Sequence, residues 1–241
     1  STSQYGGLKK SYNGGGNWSN IKPVSYEGAW VTPYAMHAAN NNLLVIGYDE
    51  VYRTTTGGVV WDSISYGVCS GQAIRSIALA PSDEDYVYAA SYSKIKVTKD
   101  AGVSWTYIKP GLANYNITDA TVATNNPDRA WVTFSDYNNT HKVYETNDAG
   151  SSWANISGNN LPGLPVNCIV YQGGANDDLY IGDESIEDIL DRKGKGYFNA
   201  GLRWSASDNL MLEMNINDIS KNNKVSDSIN RELKVIYYES F

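Results

Sequence analysis

The chain has 241 residues, a formal net charge of −7, 41% hydrophobic residues and 19% charged residues, which suits one large folded domain or two small ones. The acidic balance, with no basic cluster to offset it, argues against nucleic acid and anionic membrane as partners. No run of about 18 apolar residues is present, so no transmembrane helix is expected.

The 19 tyrosines and 22 glycines fit many short strands and turns. In chain order, the first strands expected are Gly7–Ser11 and Asn17–Ile21, with nothing before them to complete a sheet. A full four-stranded unit follows: Trp30–Ala38, Leu43–Gly47, Glu50–Thr54 and Val60–Ile64. A second reads Ala73–Ala80, Tyr86–Ser91, Lys94–Thr98 and Ser104–Ile108. A third reads Ile117–Ala123, Arg129–Ser135, Lys142–Thr146 and Ser152–Ile156. Polar links such as Pro81-Ser82-Asp83-Glu84-Asp85 and Asn125-Asn126-Pro127-Asp128 join first to second strands. A last, partial unit holds Val166–Tyr171 and Asp178–Gly182.

Third and fourth strands are joined by one recurring turn, Ser/Thr-x-Asp-x-Gly-x-x-Trp. Its clearest copies run from Thr98 through Asp100 and Gly102 to Trp105, and from Thr146 through Asp148 and Gly150 to Trp153. In an earlier copy Thr56 replaces the acid, with Gly58 and Trp61 retained; in the first, Asn13 stands in the acid's place before Trp18. The four tryptophans are 43, 44 and 48 residues apart, and a period of about 40–50 residues marks a propeller or an array. Asp or Asn can bond the backbone two residues on and tolerates left-handed geometry, Gly supplies positive φ, and Trp folds back as an apolar plug with an N–H to place. A structural role accounts for all of them; a ligand or metal role for the acids is the alternative.

The motif resembles the Asp-box, or BNR, repeat of sialidase-like, sortilin-like and xyloglucanase-like β-propellers, over roughly residues 5–183. The run Leu164-Pro165-Val166-Asn167-Cys168-Ile169-Val170-Tyr171 before Asp178-Leu179-Tyr180-Ile181-Gly182 resembles the blades of large secreted Bacteroidetes-type surface proteins. The resemblance implies an all-β fold, a β-propeller of four-stranded antiparallel blades, in a bacterial extracellular or cell-surface protein. It also implies that the box is a structural turn opposite the ligand face. The first unit holds only third and fourth strands and the last only first and second. Residues 1–183 therefore either close as a four-bladed ring with one joint blade or form a fragment of a larger ring.

Residues 184–241 break the pattern. Ile186, Ile189 and Leu190 have helical spacing. Three alternating runs follow, Gly196–Ser205, Leu210–Ile216 and Ile229–Ser240. They resemble the closing strands of an outer-membrane barrel ending in Phe241, but Glu239 departs from that pattern and three strands cannot close a barrel. An antiparallel β-meander is the reading adopted, and its strands offer edges for self-association.

Strand alternation puts the second-to-third-strand turns and the links between blades at the end opposite the repeat turns. The links carry Tyr26, Glu27, Trp30, Tyr66 and Tyr115; the turns carry Tyr48, Asp49, Glu50, Tyr92, Asp136, Tyr137, Asp183 and Glu184. Aromatic rings beside carboxylates suit polysaccharide or a surface protein as partner; the alternative is that these tyrosines pack against blade edges. The resemblance to glycosidases invites a carboxylate pair among Asp49, Asp136 and Asp183. A sialidase-like mechanism would instead need converging arginines, and Arg53 and Arg129 are badly placed for that. His37 reads as a packed core residue, and no metal-ligand spacing, nucleophile motif or phosphate loop appears, so no cofactor or metal is expected. Cys69 and Cys168, in different repeats, read as free thiols, with a disulfide as the alternative. The sequons at Asn17, Asn116, Asn138 and Asn155 read as chance. No leader is visible, and the start at Ser1 reads as that of a processed or excised piece.

Overall fold

The computed structural model describes residues 2–137, 140–158, 161, 163–173 and 177–182, and the strand segments 198–202, 210–216 and 231–237. The first sheet has the order β1 (Thr2–Ser3), β2 (Gly7–Lys10), β3 (Ser19–Asn20). Strand β1 precedes the expected pair. It is only two residues long and pairs with the start of β2, Thr2 opposite Leu8 and Ser3 opposite Gly7, after a 3-10 turn at Gln4–Gly6 that no apolar alternation announces.

Three four-stranded antiparallel blades follow, each in sequence order. They are β4 (Tyr34–His37), β5 (Asn40–Gly47), β6 (Val51–Thr54), β7 (Asp62–Ser63); then β8 (Ser76–Leu79), β9 (Val87–Ala90), β10 (Ile95–Thr98), β11 (Thr106–Tyr107); then β12 (Ile117–Val122), β13 (Ala130–Phe134), β14 (Val143–Thr146), β15 (Ala154–Asn155). A two-stranded half-blade, β16 (Cys168–Gln172) and β17 (Asp178–Gly182), comes next. In the tail, β18 (Phe198–Leu202), β19 (Leu210–Ile216) and β20 (Arg231–Tyr237) form an antiparallel sheet, with Leu202 opposite Leu212 and Leu210 opposite Tyr237. The helical spacing at 186–190 lies outside the described residues. No helix of the described residues is long and apolar enough to cross a membrane.

Blades pack face to face, so their central strands are covered on both sides and read as continuous apolar runs. From β5, Leu43 and Val45 join Val51, Ile74, Leu79, Val87 and Ala89 toward the second blade. Ile46 and Tyr48 join Leu8 and Ile21 toward the first sheet. The outer strands are two residues long where five were expected, because the ladder keeps only two pairs before the chain turns to the neighbouring blade. The first strands β8, β12 and β16 lie side by side. There Asp119 ties three of them: Ser76 Oγ donates to Oδ1 at 2.8 Å and the Ile169 N–H to Oδ2 at 3.0 Å. Burial pushes this carboxyl up, against those hydrogen bonds.

The repeat turn has the same bonds in every copy. Thr98 Oγ1 donates to Asp100 Oδ1 at 2.8 Å and accepts the Gly102 N–H at 2.8 Å. Asp100 accepts the Ser104 N–H at 2.8 Å and the Ser104 hydroxyl at 2.5 Å. Thr146, Asp148, Gly150 and Ser152 repeat this set. Where Thr56 replaces the acid, its hydroxyl still accepts the Val60 N–H at 2.8 Å, and in the first copy Asn13 Oδ1 accepts the Asn17 N–H at 2.8 Å. The tryptophan then reaches into the preceding blade. Trp61 Nε1 donates to Ile21 O at 2.8 Å, Trp105 Nε1 to Ile64 O at 2.8 Å, and Trp153 Nε1 to Ile108 O at 2.7 Å. The turn glycine approaches the same isoleucine: a Cβ on Gly150 would lie 2.5 Å from Ile108 Cβ, and Gly150 has φ +84°, so both space and conformation demand glycine.

The first and last sheets are separate; no sheet of the described residues joins β1–β3 to β16–β17. The joint blade expected for a four-bladed ring is not formed within the chain.

Two outcomes follow from this packing. Trp105→Ala should lower unfolding free energy by about 3 kcal/mol, whereas Trp18→Ala, at 51% exposure, should change it by less than about 0.5 kcal/mol; urea titrations distinguish them. The Ser152 hydroxyl, then the Ser152 N–H and Thr146, hold the Asp148 carboxyl at about 2, below its ordinary value. Its stabilisation is present above the unfolded pKa and is lost as pH falls through the folded one. Asp148→Asn should therefore flatten the fall of stability between about pH 4 and pH 2.

Candidate functional site

Strand direction alternates through each blade, so the repeat turns share one end with the links between first and second strands. The Ala101 N–H donates to Asp85 O at 3.1 Å and the Ala149 N–H to Asp128 O at 2.8 Å, tying each turn to such a link. The opposite end gathers the turns after β5, β9 and β13 and the links between blades. There the Ile74 N–H donates to Tyr48 O at 2.6 Å and the Ile117 N–H to Tyr92 O at 2.8 Å.

This end carries most of the residues singled out in the sequence, unequally exposed. Tyr66 is 99% exposed and Tyr137 72% exposed; Tyr26, Trp30 and Tyr92 are also exposed. Asp49 and Glu27 are exposed, and Tyr115 is half-buried. The Tyr26 hydroxyl donates to Asp49 Oδ1 at 2.5 Å and lies 2.7 Å from the Tyr52 hydroxyl. Desolvation first, then the bond to Asp49, pushes the Tyr26 phenol well above the usual range. Trp30 meets Tyr5 edge to face at 5.1 Å. The Arg75 guanidinium lies 4.4 Å from the Tyr92 ring centre, a cation–π contact that holds one face of that ring. Tyr115 lies 6.1 Å from His141, whose Nδ1 is 2.7 Å from the Tyr144 hydroxyl.

Three candidates are drawn inward instead. Tyr48 is 0% exposed; its hydroxyl donates to Gly6 O at 2.6 Å, and burial, with Tyr52 nearby, pushes its pKa up to about 12. Asp136 is 1% exposed beside the buried Lys142, whose ammonium donates to Asp136 O at 2.6 Å and to Leu164 O. Glu50 accepts the Ser65 hydroxyl and the Gly67 N–H, each at 2.5 Å. Exposed rings beside exposed acids at this end therefore reduce to the surroundings of Tyr26, Asp49 and Glu27. Asp183 and Glu184 lie outside the described residues.

Tyr52, Arg75 and His141 escaped the sequence reading. Tyr52 sits in β6 two positions beyond Glu50, so alternation returns it to the side of Tyr48. Arg75 stands just before β8, at the strand end that faces Tyr92. His37 is buried, as a packed residue would be. Cys69 and Cys168 are both free thiols, one buried and one half-buried. Arg53 faces Glu84 and Asp85, and Arg129 bonds Glu145 and Asp177, all at the end with the repeat turns.

The successive four-stranded antiparallel blades define a β-propeller. The GH74 xyloglucanase from Xanthomonas campestris has this fold: 16% identity, TM-score 0.55, covering 76% of this chain and 31% of the enzyme. A GH74 enzyme from Niastella koreensis aligns at 16% identity and TM-score 0.49, covering 67% of this chain and 22% of the enzyme. YCF48 from Cyanidioschyzon merolae aligns at 10% identity and TM-score 0.44, covering 85% and 71%. The chain thus spans less than a third of the length of these GH74 enzymes. No protein-family model and no curated protein matches the sequence.

The Tyr48 hydroxyl is the one predicted site atom with a buried structural bond. Tyr48→Phe should cost about 1 kcal/mol by leaving the Gly6 carbonyl without its donor, while Tyr137→Phe should leave the thermal midpoint unchanged.

Proposed function

We propose that the chain is a non-catalytic binding module of a bacterial extracellular or cell-surface protein. It engages glycan or protein through the aromatic end opposite the repeat turns. The observation that carries this reading is the set of exposed rings at that end, Tyr26, Trp30, Tyr66, Tyr92 and Tyr137. Large exposed rings are costly to hydrate and give up that cost against the C–H faces of sugars or the apolar parts of a protein. The acids support it too. Asp136 is buried beside Lys142 and Glu50 is engaged by its own turn, which leaves Asp49 and Glu27 to accept hydroxyl or amide hydrogens from a ligand. The repeat turns, taken as Asp-boxes, have their acids satisfied by Ser, Thr and backbone donors within the turn.

A glycoside hydrolase is the second reading, favoured by the shared fold with the Xanthomonas xyloglucanase. A glycan array run beside a polysaccharide-hydrolysis assay separates the two. Binding without release of reducing sugar, weakened about tenfold, or about 1.4 kcal/mol, by Tyr66→Ala or Tyr137→Ala, is expected. Turnover that disappears in Asp49→Asn would overturn the binding reading.

A further inference from the structure

The three internal blade junctions define what the two ends of the array lack. At each, a repeat-turn tryptophan covers the preceding blade and bonds an isoleucine carbonyl, at Ile21, Ile64 and Ile108. The first turn is fully built, with Ser11 Oγ accepting the Gly15 N–H at 2.7 Å, yet its Trp18 is 51% exposed against no preceding blade. At the other end Ile156 holds the fourth isoleucine position. No Ser/Thr-x-Asp-x-Gly-x-x-Trp pattern recurs after it. Between the third blade and the half-blade runs an apolar groove lined by Val143, Ile156, Ser157, Leu161, Leu179 and Ile181. Trp105 fills the corresponding place one junction earlier, against Val51, Ile64, Val87 and Ala89. One end is therefore a tryptophan without a groove, and the other a groove without a tryptophan.

We propose that the occupant of this groove is the β2–β3 hairpin of a second copy, and that two copies close reciprocally into one ring. The half-blade β16–β17 of one copy gains β2 and β3 of its partner as third and fourth strands. Trp18 then donates to the Ile156 carbonyl. The register follows from the blades already formed, where Leu44 faces Thr54, Val87 faces Thr98 and Ala130 faces Thr146. Ser11 stands in the place of those threonines and Leu179 in the place of their partners, so Lys10 faces Tyr180. Strand β1 does not obstruct this pairing, since it reaches only Gly7 and Leu8. Each copy contributes three whole blades and two halves, and two copies make eight blades, within the range propellers use. Closure removes both strand edges, where an unpaired ladder invites association, and makes the contact head to tail.

Sedimentation or light scattering should give a mass twice the 26.5 kDa of the chain. Trp18→Ala should return it to the mass of one chain with an unchanged circular dichroism spectrum. Mixing a Lys10→Cys chain with a Tyr180→Cys chain should yield a disulfide between those two positions, mapped by peptide mass spectrometry. A single-chain mass at all concentrations, polymers longer than two, or no disulfide in the mixture would each overturn the proposal. A disulfide inside one chain carrying both cysteines, at single-chain mass, would show that the chain closes on itself and would also overturn it.

Discussion

The fold depends on one junction made three times: a tryptophan N–H reaching the carbonyl of an isoleucine some forty residues earlier, 2.7–2.8 Å away. The contact crosses from one blade to the one before it. It buries half of a large ring, satisfies a carbonyl at the end of a short outer strand, and brings a glycine against the isoleucine side chain. No side chain other than hydrogen fits there, because the backbone is left-handed and the neighbour lies at contact distance. The Asp or Asn of the turn does not touch the neighbouring blade at all. Its oxygens hold the hairpin's own N–H and hydroxyl groups, so that the tryptophan leaves the turn in a fixed direction.

An additive junction of this kind makes the array directional. Each blade presents a tryptophan backward and an isoleucine carbonyl forward, and the inner strands add a second tie through Asp119, which bonds Ser76 behind it and Ile169 ahead. Ion pairs at the repeat-turn end run across the same joints, from Arg53 to Glu84 and Asp85, and from Lys99 to Asp128. Nothing in such a design terminates itself. The half-sheets at the two ends follow from this, and so does their complementarity.

The opposite end is built on different terms. Its turns are free of inter-blade stitches, and large rings there remain in water. Where a ring is held, it is held by a neighbour on the same end, as Tyr26 is by Asp49 and Tyr92 by Arg75. Rings that are exposed but held in place lose little conformational freedom on meeting a partner. The same end also contains residues that face inward to support it, Tyr48 under the first sheet and Lys142 with Asp136 beneath the third blade.

The blades were legible in the sequence because each is a local object. Apolar alternation, a turn with a fixed chemistry and a tryptophan at a steady spacing suffice to place strand, hairpin and joint, and β17 and β19 have the expected bounds, Asp178–Gly182 and Leu210–Ile216. Exposure of the candidate site was not legible. Tyr48 and Tyr66 read alike in sequence, but one is buried because the segment before β2 folds over it to Gly6, and the other stands clear. Asp136 reads as a loop acid, and it is buried because Lys142 from the next strand turns back beneath it. Local pattern determines periodic structure, since a strand's period and a turn's donors lie within a few residues of each other. Burial, partnership and the closure of the two ends depend on residues brought together from forty or more positions apart, and only the tertiary structure decides those.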